Sequence, residues 1–141
     1  IINTSSDVLI LDRRGSDGTV VLFRNDDTNV GGISVSGSSV VYSTSSDYRL
    51  KENIKPLKNG LEKVQQLNPV KFDWKETGET NEGFIAHEVQ EICKEAVVGE
   101  KDGEEMQGVD YGRITPLLVK AIQEQQAQIE ILKTEIQELK E

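Results

Sequence analysis

Ser46 and Lys51 are the side chains of this sequence whose types and spacing could do chemistry together. A serine hydroxyl attacks a carbonyl group only after something removes its proton. A lysine does this only when burial or nearby positive charge lowers its pKa, and Arg49 is a candidate for that charge. Five extended residues separate two Cα atoms by up to ~17 Å, so the chain must fold back before the amine reaches the hydroxyl. The spacing therefore predicts a nucleophile and base only in a folded segment.

The same stretch also has an ordinary structural interpretation. Residues 43–46 are typical of a solvated Ser/Thr loop in which Ser46 or Asp47 caps a turn, with Lys51 as a surface charge. Serine and lysine at this separation are common, so residue chemistry alone favours the structural interpretation. His87 is the only histidine, and a lone histidine that precedes a Val and an Ile is more often a helix-end or core residue than a catalyst.

The residues before the pair predict short β-strands separated by turn residues. The apolar runs are residues 8–11, 19–23, 33–36 and 40–42. Four short strands with few large side chains cannot bury enough surface to fold alone. Their apolar faces are therefore expected to pack against something else, most simply other copies of the chain in an oligomeric β fibre.

The middle of the chain predicts a small α+β unit. Apolar spacing indicates a helix over 54–67, although Gly60 weakens it. A strand is expected at 70–74, with a partner strand at 84–86 after a polar turn. The remaining predicted elements are a helix at 87–95 and apolar runs at 96–98 and 106–109.

Residues 113–141 predict a long helix with a coiled-coil stripe, and Pro116 fits its first turn. The stripe consists of Leu118, Ile122, Gln125, Ile129, Leu132, Ile136 and Leu139. A helix about 43 Å long is too long for so small a body to cover, so partner helices should cover it. The Ile and Leu positions favour two strands and Gln125 places a polar residue in the seam, but the stripe alone does not choose between two and three.

Composition excludes several classes of function. The chain has 141 residues, a net charge of -9, and 25 acidic against 16 basic residues, which argues against nucleic acid and anionic membranes as partners. The single Cys93 cannot form an internal disulfide and is expected to be a buried apolar residue. The acidic clusters at 76–82 and 100–105 lack the calcium-loop pattern, and the glycine pairs lack the phosphate-loop spacing. No metal and no cofactor are predicted.

Two motifs carry a family resemblance. Residues 45–54, SSDYRLKENI, and residues 83–89, GFIAHEV, resemble the intramolecular chaperone auto-processing domain. That domain lies at the C-terminus of bacteriophage tailspikes, endosialidases and tail or neck fibres, and is also similar to a segment of the eukaryotic myelin regulatory factor. The resemblance extends from Ser45 to the end of the chain and includes the closing helix.

The resemblance implies an intertwined homotrimer that holds fibre chains in register and then cuts itself off. Family members use a Ser-Lys dyad, which here corresponds to Ser46 and Lys51, with the scissile bond between Ser45 and Ser46. His87 matches a position at which some relatives use histidine, and is expected to be accessory. Asp47 matches a position that is acidic in the family, and is expected to orient the loop. The resemblance thus implies that the protein is a single-turnover serine endopeptidase that needs no cofactor.

The resemblance also implies an organisation and a location. Residues 1–45 would be the end of a triple β-helix fibre, 46–112 the chaperone body and 113–141 a three-stranded coiled coil. Assembly is expected in the host cytoplasm, after which the fibre stays in the virion tail and the chaperone is released. The alternative is a permanent, uncleaved trimeric fibre tip for chain registration or receptor contact. A eukaryotic regulatory protein released by the same cleavage fits the Ser/Gly-rich strands less well.

Overall fold

A computed structural model describes residues 9–140 of the chain. These residues form two compact units with the boundary between Ile54 and Lys55, and the fold is mixed α and β with a long C-terminal helix, as predicted. The strands are β1 Gly18–Asn25, β2 Thr28–Ser36, β3 Ser39–Thr44, β4 Val70–Asp73, β5 Thr80–Gly83, β6 Val97–Val98 and β7 Gly108–Val109. The helices are α1 Gly60–Gln66, α2 Ala86–Ile92 and α3 Thr115–Glu138. Short 3₁₀ turns lie at Tyr48–Leu50, Lys94–Ala96 and Tyr111–Arg113.

The first unit contains an antiparallel sheet in the order β1-β2-β3, connected by two tight hairpin turns. Asp26 and Asp27 have φ angles of 43° and 62°, which is the geometry of a type I′ turn, and aspartate tolerates this region better than most residues. Gly37 has a φ of 55° in the second turn, where glycine carries no steric penalty. Turn chemistry thus helps to set the register of the sheet.

The faces of this sheet are largely exposed in the single chain. Gly32 is the only buried residue within residues 9–54. Leu22, Phe23 and Tyr42 are 50%, 54% and 78% exposed. A small sheet that buries so little apolar surface is not expected to be stable alone, which agrees with the expectation that its faces pack against something beyond the chain.

Three of the four predicted strands are confirmed, since the runs at 19–23, 33–36 and 40–42 lie within β1, β2 and β3. The prediction at 8–11 is wrong for residues 9–11, which form no strand, and Val8 lies outside the described residues. A strand needs a neighbour to complete its hydrogen bonds. Apolar composition alone could not reveal that residues 9–11 pair with none of β1, β2 and β3.

The core of the second unit centres on Val89, Ala96 and Ile114, which are 1%, 0% and 3% exposed. The partly buried side chains packed against them are Leu67, Phe84, Cys93, Val97 and Val109. Cys93 is therefore half-buried against the core rather than fully buried. The predicted helix at 87–95 is confirmed as α2 followed by a 3₁₀ turn, and the predicted runs at 96–98 and 106–109 contain the paired strands β6 and β7.

The predicted strand at 70–74 is confirmed as β4, but the partner strand expected at 84–86 is wrong. β4 pairs along its whole length with β5, which ends before Phe84. The turn between them is short because Gly78, with a φ of 71°, reverses the chain, and its N–H donates to the Trp74 carbonyl at 2.7 Å. Phe84 packs against the core instead of joining the sheet.

The helix predicted over 54–67 begins only at Gly60, as α1. Pro56 disfavours helical backbone in the residue before it, and Asn59 has a left-handed φ of 57°. Gly60 is buried against α3, where an added Cβ would lie 2.7 Å from the backbone nitrogen of Ala121. The glycine that weakens the sequence prediction is thus required by the close approach of two helices.

The predicted C-terminal helix is confirmed as α3, whose 24 residues correspond to a length of about 36 Å, with Pro116 in the first turn. Leu117 and Ala121 are its buried residues. The predicted stripe remains open, since its apolar members are between 41% and 87% exposed; these are Leu118, Ile122, Ile129, Leu132, Ile136 and Leu139. Among the described residues, no helix combines the length and apolar character needed to cross a membrane.

Candidate active site

The end of β3 leads directly into the predicted Ser-Lys pair. Thr44 pairs with Gly31 of β2, and Ser45 follows immediately. The Ser45 N–H donates to the Val30 carbonyl at 3.0 Å, and the Ser45 hydroxyl donates to the Asn29 carbonyl at 2.7 Å. Ser45 is therefore attached to β2 by two hydrogen bonds, although it lies just beyond β3.

The 3₁₀ turn at Tyr48–Leu50 folds the chain back after Ser46. Asp47 caps the start of this turn, where its carboxylate accepts a hydrogen bond from the Arg49 N–H at 2.9 Å. The Lys51 N–H donates to the Tyr48 carbonyl at 3.0 Å, and Lys51 then returns to extended backbone. The turn thus supplies the reversal that the spacing of the pair requires.

Ser46 and Lys51 meet across this turn. The Lys51 Nζ atom lies 2.7 Å from Ser46 Oγ, which is within range for proton transfer between a nucleophile and a base. Both side chains are exposed in the single chain. A lysine acts as a base only in its neutral form, which burial favours. The contact is present without that burial, and the catalytic roles of the two residues stay a prediction.

Asp47 and Arg49 form an ion pair that braces the same loop. The Arg49 Nε and Nη2 atoms donate to the two carboxylate oxygens of Asp47 at 3.0 and 2.7 Å. Hydrogen bonding to Arg49 lowers the pKa of Asp47, and the same contact raises the pKa of Arg49. Arg49 is thus paired with Asp47, and its predicted effect on Lys51 stays a prediction. Asp47, rather than Ser46, caps the turn, so the turn-capping interpretation and the Ser-Lys contact hold together.

An open depression of about 610 Å³ lies beside Ser45. Its lining residues are Arg24, Asp27, Thr28, Asn29, Ser45, Asp47, Arg49 and Leu50. Arg24 is held in place there, since its Nη2 atom donates to the Asp27 carbonyl at 2.7 Å. Sequence patterns did not identify Asn29 and Val30 as contacts of Ser45, because both accept its hydrogen bonds through backbone carbonyls that carry no side-chain signal.

His87, the predicted accessory residue, lies in α2 of the second unit and is half-buried. It follows Ala86, at the start of the helix, as the sequence suggests for a helix-end histidine. Its role in chemistry stays a prediction. In the described part of the chain, no group of three or more His, Cys, Asp or Glu side chains is arranged to hold a metal ion.

Residues 46–98 match a peptidase family described as chaperone of endosialidase. The segment is similar to that family over these residues. The family resemblance seen in the sequence motifs is therefore confirmed. The chaperone-of-endosialidase segment begins at Ser46, immediately after the predicted scissile bond, and includes Asp47, Lys51 and His87.

Three relatives of the chain are phage tail fibre proteins. Long tail fiber protein Gp37 from Enterobacteria phage K3 is 35% identical over 98 residues, which cover 64% of this chain and 8% of that protein. The protein of the same name from Escherichia phage AR1 is 38% identical over 87 residues, covering 56% of this chain and 8% of the relative. That from Enterobacteria phage M1 is 37% identical over 97 residues, covering 63% and 39%. The chain thus spans less than half the length of each relative.

Proposed function

We propose that this chain is a trimerisation and folding chaperone of a phage tail fibre that releases itself by cutting the Ser45–Ser46 bond. The observation that carries the proposal is the 2.7 Å contact between Lys51 Nζ and Ser46 Oγ, at the first residue of the matched family segment. The tail fibre relatives support the choice of client, a fibre segment of the same chain. The proposal includes assembly in the host cytoplasm, retention of the fibre in the virion tail and departure of the chaperone.

In the proposed reaction Lys51 Nζ takes the proton of Ser46 Oγ, and the oxygen attacks the carbonyl carbon of Ser45. The C–N bond between Ser45 and Ser46 then breaks, and the proton passes to the Ser46 nitrogen. An ester now joins the Ser45 carbonyl to Ser46 Oγ. Water hydrolyses the ester, which leaves a carboxylate on Ser45 and a free amine on Ser46. Lys51 Nζ and Ser46 Oγ are already in contact in the folded chain, so the attack on the Ser45 carbonyl is unimolecular.

Exposed apolar surface supports the proposed trimer. Among the described residues, five hydrophobic side chains are buried, and all five lie in the second unit; they are Val89, Ala96, Ile114, Leu117 and Ala121. The stripe of α3 and the faces of the first-unit sheet stay open to solvent. Contiguous apolar surfaces of this kind are typical of interfaces. In the proposal, a three-stranded coiled coil covers the stripe and a triple β-helix fibre covers the sheet.

Exposure of the dyad adds a reason for coupling cleavage to assembly. Ser46 and Lys51 are both exposed in the single chain, and a protonated lysine cannot accept the serine proton. Packing of neighbouring copies around the dyad would remove water from the amine and favour its neutral form. In the proposal the chain therefore cuts itself only after it has assembled, which protects the fibre from early loss of its chaperone.

Intact-mass measurement of freshly folded protein tests the proposed function. The wild-type chain should give two fragments, the second beginning at Ser46, and hydroxylamine added during the reaction should convert the new terminus of Ser45 to a hydroxamate by trapping the ester. Lys51→Met and Ser46→Ala should remain intact while keeping the particle mass of a trimer in light scattering. A wild-type chain that stays whole as a trimer would instead support a permanent fibre tip, and fragments from Ser46→Ala would refute the assigned nucleophile.

A further inference from the structure

Ser45 is fixed on β2 by contacts that the Ser-Lys pair does not use. Its hydroxyl donates to the Asn29 carbonyl at 2.7 Å and its N–H donates to the Val30 carbonyl at 3.0 Å. Ser46, on the other side of the scissile bond, belongs to the loop that the ion pair between Asp47 and Arg49 braces. The Ser45–Ser46 bond thus lies between two separately anchored segments of the first unit.

The approach of β3 to β2 just before Ser45 is unusually close. An added Cβ on Gly31 would lie 2.6 Å from the Ser43 carbonyl oxygen and 3.5 Å from Thr44 Cα. The neighbouring Gly32 is also close-packed, but towards the other strand, since its added Cβ would lie 2.6 Å from the Val21 carbonyl oxygen. Gly31 therefore allows the close approach of β3 to β2 that places Ser45 on β2, while Gly32 allows the close approach of β1 to β2.

We infer that the Ser45 side chain is a positioning residue for self-cleavage, holding the scissile carbonyl on β2 within reach of Ser46 Oγ. This inference rests on the proposed function and extends it to the residue that provides the carbonyl. An intramolecular attack depends strongly on alignment, and a small displacement of the carbonyl slows it. Correct pairing of β3 with β2 is then a condition for cutting, so a chain whose fibre strands are misregistered keeps its chaperone.

Comparison of Ser45→Thr with Ser45→Val tests the inference, because the two variants have nearly the same shape and differ in the hydroxyl. Cleavage of the full chain is followed over time by intact mass, across a range of pH. Ser45→Thr should cut at close to the wild-type rate, while Ser45→Val should be about three- to tenfold slower, as expected for one hydrogen bond. The loss should be the same at every pH, because the base is unchanged.

Two glycine variants provide an independent arm. Gly31→Ala should slow cleavage more than Gly32→Ala, since it displaces β3, the strand that leads into Ser45, and circular dichroism would verify that both variants fold. Hydrogen exchange in a Ser46→Ala background should show faster exchange of the Ser45 N–H in the Gly31→Ala chain. If the wild type cleaves itself and Ser45→Thr and Ser45→Val cleave at equal rates, the positioning role of Ser45 is overturned while the proposed cleavage stands. An intact wild type would remove the proposed cleavage and the positioning role with it.

Discussion

Replacement of Gly60 by alanine probes the closest contact between α1 and α3. The added Cβ would lie 2.7 Å from the Ala121 nitrogen, 2.7 Å from Lys120 Cγ and 2.8 Å from the Lys120 carbonyl carbon. Two of these three atoms belong to the backbone of α3, which cannot rotate away as a flexible side chain can. The two helices must therefore move apart at the point where they pack.

The expected cost follows from two opposing effects. Overpacking a close contact costs about 1–3 kcal/mol, and a backbone clash belongs at the upper end of that range. Alanine is favoured over glycine by at most about 1 kcal/mol in a helix interior, and by less at the first helical position of Gly60. The net loss for Gly60→Ala is thus about 2 kcal/mol in the free energy of unfolding, which lowers the melting temperature by about 10 °C for a unit of this size.

Gly108→Ala is the matched control, because Gly108 is exposed and an added Cβ there meets nothing within 4 Å. Thermal unfolding by circular dichroism should be compared for both variants and the wild type at one protein concentration, since association shifts the melting temperature. Gly108→Ala should melt close to the wild type. If Gly60→Ala melted at the same temperature as Gly108→Ala, the tight contact between α1 and α3 would not exist in solution.

Two further predictions concern carboxylates. Glu124 accepts a hydrogen bond from the Leu61 N–H at 2.8 Å, and this bond lowers the pKa of Glu124. Its stabilising effect is therefore present above the ordinary pKa of a glutamate and disappears as the pH falls through the lowered value. Glu124→Gln should flatten that acid-side loss of stability, measured by denaturant unfolding at a series of pH values. Asp47→Asn should slow cleavage, because it removes the carboxylate that pairs with Arg49. Asp47→Glu keeps a carboxylate and should restore part of the rate. Equal cleavage rates for the Asn and Glu variants in a time course would contradict the role of this ion pair in bracing the loop.

The strands β1 to β4 and the long helix α3 were predictable because their signals are local. Alternating apolar residues at 33–36 and helical spacing beyond residue 113 each depend on neighbours within one element. The start of α1 was not predictable in the same way. Gly60 disfavours a helix locally, but the close approach of α3, which is far away in the sequence, requires a glycine at this position. Asn59 provides no side-chain cap, and Glu124 of α3 instead accepts the hydrogen bond of the Leu61 N–H.

The candidate site was likewise predictable where its signals are local and not where it depends on contacts between distant residues. The types and spacing of Ser46 and Lys51 allowed a dyad but favoured a simple capped turn, and only the family motif favoured the dyad. The spacing also indicated that the chain must fold back, but not how. Asp47 and Arg49 do this through a capped 3₁₀ turn, for which the sequence offers only a general preference of aspartate for caps. The anchoring of Ser45 involves two backbone carbonyls and leaves no trace in residue identity.

In the proposed mechanism, the alignment of the reacting groups and the removal of the serine proton have different origins. The first unit alone places Lys51 Nζ beside Ser46 Oγ and fixes Ser45 on β2, so alignment depends on turns and strand pairing within one chain. Both dyad side chains remain exposed there, so the lysine has not been withdrawn from water. In the proposed mechanism, folding therefore prepares the attack and assembly permits it. In that mechanism, an aligned but hydrated Ser-Lys pair would persist in unassembled chains, and cleavage would report that neighbouring copies have closed around the site.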